Sequence, residues 1–511
     1  MPVARTTGIA LVGITPSVVD VEADISSGLP AFSVIGLPDA ALGESRGRVR
    51  AAAVNSGLPL TSHKLTVSLS PAALPKHGSG FDLAIALASL AAAGDVPSES
   101  VASMVHLGEL GLDGRVRPTP GVLPAVIGAA KAGFERVMVP AANAEEARLV
   151  PGVQIVPVTS LRDAAIRHGA DLDPVPVDPW VAGPQPDQND EPLHDLAEVV
   201  GNDEAVETLV VAAAGGHHLL MLGPPGAGKT MLAERLPGLL PELGVDASLE
   251  ATSIRSLTGE PVRGLVTRPP FEAPHHTATA AAIVGGGSGQ IRPGAAVRAS
   301  HGVLFLDEAP EFPRAVLDVL RQPLESGVIR IHRANAVATF PGRFQLIMAA
   351  NPCPCGLYGV GDEECTCAPA VRRRYMSRLS GPLLDRVDIR LTVRRVTAVQ
   401  LRLDGGRAGT TTAEARERVA LARAVAAERL AGTPWRLNSQ VPGSWLREHS
   451  GALPRGSTSV LDRALERGAI TMRGYDRALR VAWTIADLAG HEHPSSEHVS
   501  AALYLRRGVG A

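Results

Sequence analysis

The feature that most constrains this chain is the run Gly223-Pro224-Pro225-Gly226-Ala227-Gly228-Lys229-Thr230, set between a short apolar stretch and a helix-forming one. Residues 218–222 read as a strand and 231–236 as a helix, so the glycines fall at a strand-to-helix turn. In that context backbone amides and the positive end of a helix dipole face one point, which suits the phosphates of a nucleoside triphosphate. The Lys229 ammonium would reach the outer phosphates and the Thr230 hydroxyl would take Mg²⁺.

Two further apolar runs match the first. Residues 303–306 end in Asp307 and Glu308. A carboxylate pair at a strand end can divide its work, with Asp307 holding Mg²⁺ through its water shell and Glu308 polarising the attacking water. Residues 345–349 lead to Asn351, an amide able to bond both the γ-phosphate and that water, or to cap a turn before Pro352. The run from Ser380 to Asp388 presents Arg386 at the end of a short helix. A guanidinium supplied there to a neighbouring subunit would neutralise charge in the transition state, the alternative being a surface pair with Asp385 or Asp388. Arg473, at the start of a later helix, is expected to contact the γ-phosphate in cis.

At 511 residues the chain exceeds one ordinary domain, and 45% apolar content is ample for several cores. Proline and acidic residues dominate 171–192, which reads as a linker. The expected organisation is α/β: an N-terminal α/β domain over 1–170, a parallel-sheet domain over 193–396, and a helical lid over 397–511. In the first region, strands are expected near 19–23, 65–69, 136–139 and 153–158, with helices over 41–56 and 81–93. In the last, helix-period runs cover 412–430, 457–466 and 473–488.

A formal net charge of −3 excludes a global basic field, so any polyanion contact must be a local patch. The most apolar stretches, such as 83–93 and 219–222, fall short of the roughly 20 residues needed to cross a bilayer. With no leader pattern at residues 1–13, a soluble cytoplasmic protein without membrane contact is expected. All four cysteines lie close together, at Cys353, Cys355, Cys365 and Cys367. Two close pairs can close a tetrahedral Zn²⁺ site; reduced thiols or a local disulfide are the alternatives.

The glycine loop, the Asp307-Glu308 strand, Asn351, Arg386 and a helical lid together resemble the AAA+ superfamily. The segment from Phe271 through His275 and His276, followed by Val284-Gly285-Gly286-Gly287-Ser288 and by His301 ahead of the acidic pair, is similar more narrowly to the magnesium-chelatase-like ATPases of the YifB/ComM family. Gly28 to Pro38 extends the likeness towards the N-terminus. The resemblance implies ATP and Mg²⁺ as cofactors and a homo-oligomeric ring, a hexamer, acting on single-stranded or branched DNA in recombination or natural transformation. It also implies that the insert 273–298 and a hairpin over 328–343 line a central pore, with Arg330, Arg333 and Arg343 as phosphate contacts. A solvated hairpin face accounts for those arginines equally well, and His275 and His276 receive no catalytic role. Arg372, Arg373, Arg374 and Arg378 form a small basic run that would meet DNA, a neighbouring subunit or solvent.

The N-terminal region resembles the Lon protease domain but departs from its serine and lysine dyad. Gly80 stands at the nucleophile position and Leu123 at the lysine position, so the chemistry is absent and a scaffold is expected. Ser79, Lys76 and Lys131 lie outside the aligned positions. Two other classes remain: the ATPase partner of a metal-insertion enzyme, whose D-x-S-x-S partner motif is not found in this sequence, and an ATP-dependent protease.

Overall fold

The computed structural model describes residues 3–507, apart from 37–38, 61–63, 72–73, 75, 77–79, 179, 181–193, 288–290, 334–335, 360–364, 398, 400–401, 403–408, 449–452 and 454–455. Most of the expected linker therefore lies outside the described residues, as do Ser79 and the side chain of Arg333.

Two sheets organise the molecule. The first is mixed, in the order Ala31–Ile35, Lys64–Ser70, Thr15–Ser26, Ala4–Val12, Val105–His106, Arg136–Pro140, Gln154–Val158. Thr15–Ser26 pairs antiparallel with both neighbours, and the last four strands run parallel. Helix Asp82–Ala93, apolar almost all round, is buried along nearly its whole length against this sheet. Such a helix belongs in a core and not on a surface.

The second sheet is wholly parallel, in the order Phe271–Glu272, Val303–Leu306, Gln345–Ala350, Leu219–Leu222, Ile389–Thr392. Its three central strands read as continuous apolar runs because helices and loops cover both faces. Gln345–Ala350 enters between Leu219–Leu222 and Val303–Leu306, and this crossover sets the ends of all three strands on one edge.

The C-terminal helices Thr412–Arg429, Met472–Leu488 and Ser496–Arg507 pack on helix Asp203–Gly215 and on one another. Their Val419, Leu479 and Val499 share one core with Leu219, Met221, Ile389 and Leu391 of the sheet. The helical region is thus packed over one sheet face. Thr411 and Glu414 form a reciprocal cap that starts the first of these helices.

The two sheets meet through specific contacts. Gly13 bridges to Thr339 of the hairpin Val328–Arg333/Ala336–Pro341. Gly121 donates its amide to the Ser256 carbonyl at 3.0 Å, and the Ser256 hydroxyl donates to the buried Glu146 carboxylate. Burial pushes the Glu146 carboxyl above its ordinary pKa.

Candidate nucleotide site

Strand Leu219–Leu222 ends at Gly223, and helix Lys229–Leu239 begins six residues later. Gly226 and Gly228 hold left-handed φ values of 75° and 90°, which let the loop turn tightly from strand to helix. A Cβ on Gly223 would stand 2.3 Å from the Val393 carbonyl oxygen, so only glycine lets the loop leave the strand there. The expected loop residues, including Pro224, Pro225 and Ala227, therefore lie at a strand-to-helix turn at the carboxyl edge of the parallel sheet.

The adjacent strand ends converge on this loop. Lys229 Nζ donates to the carbonyls of Gly223 at 2.7 Å and Pro224 at 2.9 Å, and to Asn351 Oδ1 at 3.1 Å. Burial lowers the pKa of this ammonium, while the Asp307 and Glu308 charges partly offset the shift. Thr230 Oγ1 donates to Asp307 Oδ2 at 2.8 Å. A hydroxyl and a carboxylate in contact are hard oxygen donors of the kind Mg²⁺ takes, so the pair fits the implied metal. Asp307 Oδ1 also accepts the Glu308 amide at 2.8 Å. Glu308 has a left-handed φ of 49°, uncommon for a residue with a side chain and consistent with a position held by its surroundings.

One neighbour was not foreseen. His276 Nδ1 lies 3.4 Å from Glu308 Oε2, and its ring lies tilted by 33° against that of His275 at a centroid distance of 4.1 Å. His276 and Glu308 are separated by most of the insert and by strand Val303–Leu306, so no local spacing signals the pairing.

Arg386 and Arg473 lie elsewhere. Asp388 donates its amide to the His218 carbonyl at 3.0 Å, which places this segment level with the amino-terminal end of strand Leu219–Leu222. The sheet edge occupied by Arg386 is therefore opposite the glycine loop. Arg386 pairs with Glu325, not with Asp385 or Asp388, and its Nε has no partner among the described residues. Asp388 is buried beside Arg477 and His217; burial alone would raise its carboxyl, but the Arg477 guanidinium together with the contact to His217 and the neighbouring His218 holds it well below the usual range. Arg473 is mostly exposed and stands 3.9 Å from Asp385, beside Arg386. Arg473, expected to contact the γ-phosphate in cis, thus stands beside Asp385 at the sheet edge opposite its own Lys229. Arg386, Arg477, Arg480, Arg423 and Arg343 line one open depression of about 850 Å³.

The hairpin expected over 328–343 is present, with Arg330 exposed on its first strand. Arg343 lies at its base, against Gly327. Helix Pro369–Met376 carries Arg372, Arg373 and Arg374 of the basic run, with the Arg372 guanidinium 3.8 Å over the Tyr358 ring, while Arg378 lies beyond it and pairs with Glu311 at 2.8 Å. The four cysteine sulfurs all lie within 4.8 Å of one another, a set able to hold a metal ion. In the N-terminal region, Leu123 is fully buried with its amide on Glu146 Oε1, and a Cβ on Gly80 would meet open space. Lys76 is buried with its ammonium on the Pro71 and Leu74 carbonyls, and Lys131 is exposed.

Comparison with known proteins agrees with this architecture. The family described as magnesium chelatase, subunit ChlI, matches residues 195–401; its C-terminal family matches 409–506; and subunit ChlI of Mg-chelatase matches 21–143. An uncharacterized protein of Mycobacterium tuberculosis is 47% identical over 99% of both chains. Competence protein ComM of Haemophilus influenzae is 39% identical over 98% of this chain and 96% of its own. YifB of Escherichia coli, an uncharacterized protein, is 37% identical over 97% and 96%. No helix among the described residues is long and apolar enough to cross a membrane. With the glycine loop, acidic strand end and parallel sheet in place and near-full-length identity on either side of them, the chain belongs to the ComM and YifB family of magnesium-chelatase-like AAA+ ATPases.

Proposed function

We propose that this chain is the ATP-hydrolysing protomer of a cytoplasmic ring motor, a hexamer, that moves DNA strands during recombination or transformation. The observation that carries the reading is the division of the site between two edges of one sheet. Lys229, Thr230, Asp307 and Asn351 gather at the carboxyl edge, while Arg386 and Arg473 stand at the opposite edge. A protomer with half a site on each edge completes a site only against another copy, as a closed ring with head-to-tail interfaces provides.

In that arrangement the loop amides and Lys229 grip the phosphates, and Thr230 and Asp307 hold Mg²⁺, which supplies charge neutralisation at the phosphates. Glu308 takes the proton of the attacking water, Asn351 orients that water, and His276 orients Glu308. Arg386 leaves Glu325 to face the triphosphate of the adjoining protomer, with Arg473 beside it. The domain organisation stands with it: a non-proteolytic Lon-like scaffold over 1–170, a linker over 171–192, an ATPase domain over 193–396 and a helical domain over 397–511. The buried, apolar Leu123 supports the loss of protease chemistry. The cysteine set holds a structural Zn²⁺.

DNA as the cargo is supported by the name of the competence relative and by the exposed Arg330 and the basic helix Pro369–Met376. The test is ATP turnover of the purified protein with and without forked or single-stranded DNA. Stimulation that fades steeply with rising salt is expected, since phosphate contacts release counterions. DNA-independent, salt-insensitive turnover would instead favour an ATPase partner of a metal-insertion enzyme, the reading suggested by the chelatase description of the family.

A further inference from the structure

Among the described residues, no helix or strand lies between Ala350 and Pro369, and the first cysteine turn is closed by the Gly356 amide on the Cys353 carbonyl. The sulfurs are gathered: Cys353 to Cys355 at 3.3 Å, and Cys365 to each of them at 3.6 Å. Tetrahedral Zn²⁺ with Zn–S bonds of about 2.3 Å spaces its sulfurs about 3.8 Å apart, close to this arrangement. Four thiolates around one divalent ion would therefore tie the two cysteine turns together.

The segment also touches the glycine loop. Gly356 closes the first cysteine turn, donating its amide to the Cys353 carbonyl at 2.9 Å with a left-handed φ of 78°. A Cβ on Gly356 would stand 2.5 Å from Cδ of Pro225, so the turn lies flat against the proline ring of the loop. On the same residue, the Pro225 carbonyl accepts Arg395 Nε at 3.2 Å. A second connection runs through Asn351, two positions before Cys353, whose Oδ1 accepts from Lys229. The cysteine turn thus backs the loop at one point and leads out of its lysine partner at another.

We infer that the four-cysteine turn is a Zn²⁺ site whose occupancy sets the affinity of the glycine loop for ATP, an inference that rests on the triphosphate reading of Lys229 and Thr230. When zinc leaves, the turn relaxes, Pro225 loses its backing and the loop shifts from the shape that would receive the triphosphate. Linkage requires the reverse effect of equal size: bound nucleotide holds the zinc more tightly.

The experiment uses the full chain, its zinc content measured by elemental mass spectrometry and its affinity for a fluorescent, non-hydrolysable ATP analogue measured by anisotropy. The expected result is one zinc per chain, with analogue affinity falling on the order of tenfold after chelation or in Cys365→Ser. Gly356→Ala keeps its zinc and still binds the analogue more weakly, because it acts at the Pro225 contact, beyond the metal; it also serves if the cysteine variant fails to fold. Saturating analogue slows zinc transfer to a colorimetric chelator in the wild type and has no effect in Lys229→Ala. Absence of zinc from protein prepared with zinc supplied would overturn the inference, as would bound zinc whose removal leaves analogue affinity unchanged. Absence of analogue binding at every zinc occupancy would overturn the triphosphate reading itself, and this inference with it.

Discussion

Lys229 Nζ and Asn351 Oδ1 stand 3.1 Å apart, joining the glycine loop to the end of the neighbouring strand across the place where phosphates would enter. The ammonium also rests on two loop carbonyls, so a triphosphate exchanges acceptors for it without asking it to travel. Lys229→Ala removes the only ammonium in this cluster of described residues. ATP turnover in that variant is expected to fall at least about 100-fold with circular dichroism unchanged, since charge-assisted contacts to the transferred phosphoryl supply several kcal/mol. Turnover at the wild-type level would remove the basis of the site assignment.

Glu308→Gln keeps size and hydrogen bonding but cannot accept a proton. It is expected to bind ATP normally and to lose on the order of 10²- to 10⁴-fold in kcat. His276→Ala, which leaves Glu308 without the partner 3.4 Å away, is expected to lower kcat about tenfold with little change in KM. Because both act on one proton transfer, the double variant should be no slower than Glu308→Gln alone. Additive losses in steady-state kinetics would show that His276 acts elsewhere.

The placement of Arg386 on the edge opposite Lys229 predicts complementation between subunits. Arg386→Ala and Lys229→Ala are each expected to be inactive, the first losing on the order of 10³-fold. Mixed after dissociation and reassembly, the two should regain a measurable fraction of turnover, because some interfaces pair an intact loop with an intact arginine. Arg473→Ala should complement in the same direction. A mixture as inactive as its components would argue against a shared site.

His106 and His168 form a buried pair, their Nε2 atoms 2.9 Å apart, with Thr6 and Ser100 on the outer nitrogens. Burial, with the Arg136 charge added, holds His168 down to about 4 from the ordinary 6.5, and burial with the His168 and Arg136 charges holds His106 well below it. The unfolded chain therefore binds more protons than the folded one between these values, and stability is full above 6.5 and lost as pH falls towards 4. Thermal unfolding followed from pH 7 to pH 5 should show a melting temperature that declines on acidification. His168→Gln should flatten that decline, and an identical slope in variant and wild type would count against the neutral pair.

Much of the site was legible because its chemistry is contiguous. The glycine loop, the acidic pair and the cysteine pairs each need particular residues at fixed local spacing, and no distant partner changes what those residues are able to do. The strands at 65–69, 136–139, 303–306 and 345–349 were legible for a related reason: short apolar runs bounded by polar residues have few other places to go. Ala4–Val12 was missed because it is covered on both faces and shows no alternation. Phe271–Glu272 is only two residues long, and Arg390 interrupts the apolar run of Ile389–Thr392.

The sequence by itself determined that a glycine-rich turn would sit between a buried strand and a helix, beside a strand ending in two carboxylates. Only the tertiary structure decided which groups share that edge. Parallel strands bring all their carboxyl ends to one side, so Asn351 and Asp307 meet Lys229 and Thr230, whereas Arg386 enters its strand from the amino end and is carried to the far side. Arg473 follows it because the helix that bears it is tied there, its Arg477 donating to the Arg386 carbonyl and to Asp388. The partners Glu325 for Arg386 and His276 for Glu308 come from segments that strand order, not sequence spacing, brings into reach.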